Sequence, residues 1–165
     1  MSKQGLKIAQ GYAQTLPRFE NSNEAERALF ERRDHLLSRL RDATREDEKV
    51  QLDGSPQSLK DLERWYFAVL EGPGFASVLM DREDVEHAIS MYLGEVLVRN
   101  TKQFRWVVEE FAFAEGRYEI GVGTSQVKIM LSRGANLQER PNNKQRQSLY
   151  REFSQFAEYA ATDSI

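Results

Sequence analysis

The sequence predicts an α+β domain with N-terminal helices, a small antiparallel β-meander of about three strands, and a C-terminal helix. Three observations carry this. From Leu29 to Leu97 apolar residues recur at helical spacing. After Thr101 aromatic and β-branched residues crowd together between glycines, which is strand and turn chemistry. After a polar loop the helical period returns. Helices come before strands rather than alternating with them, which favours α+β over a doubly wound sheet.

The elements follow in order. Residues 1–22 mix Gly, Gln, Lys and Pro and read as a loosely docked arm, in which Ile8, Tyr12 and Leu16 keep a helical spacing of four. "NSNEAERALFERRDHLLSRLRDAT" reads as the first clear helix. Asn23 is its expected cap, Glu24 and Glu26 suit the positive end of the helix dipole, and Leu29, Leu36, Leu37 and Leu40 form its apolar stripe. "VQLDGSP" is a short extended piece and a turn. Ser58 is the expected cap of a second helix, whose face is Leu59, Leu62, Tyr66, Val69 and Leu70 and which stops at "GPG". A third helix runs from about Asp81 to Asn100, with Val85, Ala88, Ile89, Tyr92, Leu93, Val96 and Leu97 in register. Strands are predicted at 103–113, 117–122 and 126–132. Phe104, Trp106 and Val108 share one face of the first, with a kink near Glu110. "KQRQSLYREFSQFAEYAAT" closes the chain with a helix whose stripe is Leu149, Phe153, Phe156 and Ala160. Trp65, Tyr92, Leu93, Trp106 and Phe111 are the expected core.

Composition narrows function by exclusion. A chain of 165 residues, 40% apolar, fits one globular domain. The net charge of −3, from 23 basic and 26 acidic residues, argues against a whole-surface nucleic-acid binder. The absence of cysteine excludes disulfides, thiolate metal sites and cysteine nucleophiles. No apolar run approaches the roughly 20 residues of a membrane span, and the N-terminus lacks a signal-peptide core. A cytoplasmic protein is expected.

No motif announces a reaction. The two histidines, His35 and His87, fall on different helices. Glu83 and His87 lie four apart, which more often makes a surface contact than a metal site. There is no G-x-S-x-G elbow. "GPGFAS" follows a helix, and "GVGTS" reads as a hairpin turn, so neither is a phosphate loop. No cofactor is implied. From Lys128 to Arg151 six basic residues, among them Lys144, Arg146 and Arg151, face one acid, Glu139. That basic patch could grip phosphates, or it could balance the acidic N-terminal half.

Gly94 interrupts the third helix. At 100° per residue it falls opposite the main stripe, beside His87, Met91 and Val98, with Glu95 and Arg99 along the border. Glycine in a helix interior costs about 1 kcal/mol relative to alanine. Its presence therefore points to a close approach. The approaching element is either another part of the chain or a partner seated on Met91, Gly94, Glu95, Val98 and Arg99.

"LDGSPQSLKDLERW" (Leu52–Trp65), "YLGEVL" (Tyr92–Leu97) and the tryptophan-bearing strand "FRWVVE" (Phe104–Glu109) resemble segments of a group of small uncharacterised bacterial proteins with LD-x-S-P-x-S-L and Y-L-G-E-[VT]-[LI] motifs. Some proteins of this look are immunity or accessory proteins of bacterial toxin systems. The resemblance implies no catalytic residue. The leading expectation is thus a non-enzymatic protein-binding module, of immunity type. It would occlude a toxin through Glu46, Asp47 and Glu48 or through the Gly94 face. The alternatives are a small enzyme with a carboxylate pocket around Glu95 and Arg99, and a nucleic-acid accessory protein using the basic C-terminal segment.

Overall fold

The computed structural model describes residues 2–139 and 147–162. Among the described residues five α-helices pack around and beside a three-stranded sheet: α1 (Lys3–Thr15), α2 (Ser22–Thr44), α3 (Pro56–Glu71), α4 (Arg82–Asn100), β1 (Arg105–Glu110), β2 (Tyr118–Gly123), β3 (Lys128–Met130) and α5 (Ser148–Thr162). Short 3₁₀ turns lie at Phe75–Val78 and Leu137–Glu139. The fold is α+β.

α4 is the centre. Its predicted stripe is buried, and so are Met91 and Gly94 on the other side. A helix buried on two faces along its middle turns belongs inside a core. α2, α3, α5, β1 and β2 all contact it. The sheet is antiparallel in the order β1-β2-β3, with Trp106 opposite Val122 and Val108 opposite Ile120. Phe104 is buried, and Trp106 and Val108 pack against the core. Glu109, one residue out of phase with them, pairs with Lys128.

Several local details depart from the sequence reading. The N-terminal arm contains a helix of 13 residues. Leu16 beyond its end is buried, while Ile8 remains 59% exposed. The cap of α2 is Asn21, whose side chain accepts the Glu24 N–H, rather than Asn23, which lies inside the helix. The cap of α3 is Ser55, not Ser58, because Pro56 occupies the first turn. Ser58 is free for another role, described below. β1 ends at Glu110 because Phe111–Arg117 folds into a turn, in which Ala114 N–H donates to Phe111 and Arg117 N–H to Ala114. Phe111 therefore sits at the core's margin, edge-on to Tyr12 and Phe113, rather than within it.

Candidate functional site

The recognised segments converge on one another. Tyr92 is fully buried in α4. Its hydroxyl accepts the Gly54 N–H at 3.0 Å and lies 2.7 Å from Ser58 Oγ. Ser58 Oγ donates to the Ser55 carbonyl, so Tyr92 is the donor to Ser58. Burial raises the Tyr92 pKa. Asn100 Nδ2 donates to the carbonyls of Gly54 and Val96 at 2.8 and 2.7 Å. The "LDGSP" turn is thereby tied to α4.

Gly94 meets the third segment. A Cβ there would lie 2.7 Å from Leu131 Cδ1 and 2.7 Å from Trp106 Cη2. The close approach inferred from the sequence is made by the chain's own sheet. Met91 and Gly94 are buried and Val98 packs on the core, so the expected partner face is covered. Glu95 and Arg99 do form their i, i+4 pair, at 3.3 Å. Arg41 of α2 takes the other Glu95 oxygen at 2.9 Å, and Arg99 Nη1 donates to the Asp53 carbonyl. Both Glu95 oxygens are thus engaged in joining three elements. The strand carboxylates do not join them: Glu109 is paired with Lys128, and Glu110 accepts the Gly116 N–H.

The basic segment is only partly in view. Lys144 and Arg146 lie outside the described residues, and Arg151 is exposed on α5. Lys128 is paired with Glu109, and Arg133 stacks over the Tyr12 ring at 4.2 Å. Among the described residues no cluster of His and acidic groups suits a metal ion, and no helix is long and apolar enough to cross a membrane.

The structure does form a groove that the sequence reading touched only at its rim. It encloses about 700 Å³ between the end of α2, α3 and the turn Phe75–Val78. Trp65, Val69, Val78 and Leu79 supply its apolar surface. Asp42, Glu46, Asp47 and Glu48 surround it, against the single Lys49. Asp42 is paired with Arg45 and Asp47 with Arg64, but Glu46 and Glu48 make no ion pair among the described residues.

Leu79 stands at the lip, 87% exposed, with a left-handed backbone (φ 54°). For a leucine that conformation costs about 1–2 kcal/mol. It is held from behind, because Arg39 Nη2 donates to the Leu79 carbonyl at 2.9 Å while Nη1 pairs with Asp84 at 3.4 Å. The left-handed residue ends the Phe75–Val78 turn, its N–H donating to the Ala76 carbonyl at 3.3 Å.

A second cavity, of about 370 Å³, lies between the end of α1, α2 and α4. His87 lines it, and so does Glu83, one turn earlier; no hydrogen bond or ion pair joins the two.

Residues 18–157 match the family described as "Uncharacterised protein YwmA". The chain is also 26% identical over 110 residues to "Uncharacterized protein YwmA" of Bacillus subtilis (strain 168), an alignment covering 67% of this chain and 69% of that protein. No solved structure matches it. The family match takes in α2 through most of α5, hence the core helix, the sheet and the groove, and the chain belongs to the YwmA family.

Proposed function

We propose that this protein is a non-enzymatic binding module that receives a basic, apolar-tipped segment of another protein in the acid-rimmed groove. The observation that carries the reading is Leu79, an exposed leucine in a strained conformation beside an apolar floor and an excess of carboxylates. Apolar anchors surrounded by a charged rim are how interfaces combine affinity with steering. An immunity-type role, in which this chain occludes a toxin, is the finer form of the proposal. It draws on the resemblance of the Leu52–Leu131 region and on the rim acids Glu46, Asp47 and Glu48.

The test is affinity capture from the native host with the parent, Leu79→Glu and a Glu46→Lys/Glu48→Lys double variant, followed by calorimetry with the identified partner. The parent should retain one specific protein, and both variants should bind it at least tenfold more weakly. Capture of no specific partner, or equal affinity across all three, would sink the proposal. Leu79 serves this test better than Gly94, since a long side chain at Gly94 collides with the core.

A further inference from the structure

We propose that the cavity between α1, α2 and α4 is a binding site for a small amphipathic carboxylate, its acid group on Arg33 and Arg32 and its apolar body among the core side chains. This does not rest on the groove, which lies among other residues.

Size and lining come first. About 370 Å³ falls within the range of small-molecule pockets, and pockets of that kind pair an apolar lining with a few polar groups. Here Leu16, Leu29, Leu36, Met91 and Ile120 form the apolar part. The charged lining is two guanidinium groups, Arg32 and Arg33, against one carboxylate, Glu83.

Arg33 is the telling group. Its side chain is only 18% exposed. Its guanidinium lies over the rings of Phe30 and Trp106, at 4.5 and 4.8 Å from their centroids. Only Nε has an acceptor, Asp34 Oδ1 at 2.9 Å. The two terminal nitrogens have none among the described residues. A guanidinium close to two rings, with its terminal nitrogens lacking protein acceptors, can take the two oxygens of a carboxylate. Arg32, beside it, contacts Asp84 at 3.5 Å and leaves its remaining donors for the same oxygens.

His87 adds a second unsatisfied group in this corner. Its Nδ1 is buried without a hydrogen-bond partner among the described residues. That atom is sealed from solvent, so the acid group is left to the two guanidinium groups. Thr15, at the end of α1, and Leu16 and Pro17 after it complete the lining.

The probe is octanoate, titrated into the full chain with octan-1-ol and octylamine as controls, read by calorimetry and by NMR shifts of the Leu36, Met91 and Ile120 methyl groups. Octanoate should saturate and shift those methyls. Octan-1-ol and octylamine should bind at least tenfold more weakly. Arg33→Gln should weaken octanoate at least tenfold. Arg32→Gln, at a half-exposed position that leaves the fold intact, should weaken it at least threefold. The proposal is overturned if octanoate fails to bind, if its shifts fall elsewhere, if octan-1-ol binds as well, or if Arg32→Gln binds like the parent.

Discussion

Replacing Gly94 by alanine sets two effects against each other. Alanine is the better helix residue by about 1 kcal/mol, and at a solvent-facing position the variant would gain that stability. At Gly94 the new Cβ would stand 2.7 Å from both Leu131 Cδ1 and Trp106 Cη2. Ordinary carbon contacts are about 3.5–4.0 Å, so each neighbour must retreat by about 1 Å. Trp106 is held on β1 opposite Val122 and lies beneath the Arg33 guanidinium. Forcing one methyl into such a site costs about 1–3 kcal/mol, and disturbing the stacked cation about 0.5–1 more. The balance is a loss of about 0.5–3 kcal/mol, and its midpoint, near 2 kcal/mol, corresponds to about 4–8 °C in Tm for a chain of this size. Urea and thermal unfolding followed by circular dichroism would measure it. Leu131→Val withdraws the colliding Cδ1, so the Gly94→Ala/Leu131→Val pair should recover about 1 kcal/mol relative to additivity. If Gly94→Ala were as stable as the parent, or the pair strictly additive, the close approach would be refuted.

Other outcomes follow from the same geometry. Tyr92→Phe strands the buried Gly54 N–H and removes the bond to Ser58, and should cost about 2–3 kcal/mol in urea unfolding. Leu79→Gly should stabilise the fold by about 0.5–1 kcal/mol, since it relieves the left-handed strain at an exposed position, while lowering partner affinity in calorimetry. The pH dependence is alkaline. Burial, with the acceptors Glu119 and Glu86, raises the pKa values of Tyr12 and Tyr66 above the ordinary value near 10. The unfolded chain therefore releases those protons first, and their contribution, complete below about pH 10, is lost as pH rises toward the folded values. A Tyr12→Phe/Tyr66→Phe variant should show a shallower fall of stability above pH 10 by pH-stepped urea titration.

Helix positions and the burial of α4 were legible because a 3.6-residue period needs only local sequence. The angular count also showed that Gly94 lies opposite the main stripe. It could not name the neighbour, since Trp106 and Leu131 are brought there by strand pairing. Cap positions slipped by two or three residues, although Pro56 marked the start of α3, because proline suits the first helical position and makes the residue before it the cap. The role of Ser58 was hidden for the same reason: its partner Tyr92 is 34 residues away. The groove combines residues of α2, α3 and the turn before α4, so its acids could be noticed in the sequence but not its apolar floor. No propensity rule anticipates the left-handed Leu79, since leucine is a poor choice for that backbone.

The attachment of α1 bears on the order in which the chain is built. Tyr12 donates to Glu119, 107 residues later, and Phe19 N–H donates to the Gly116 carbonyl. A lone helix of 13 residues is marginal in water. During synthesis at about 5–20 residues per second, α1 must wait several seconds for β2 to emerge. Translation finishes the anchor long after it has made the helix, so α1 cannot complete its attachment until β2 has emerged.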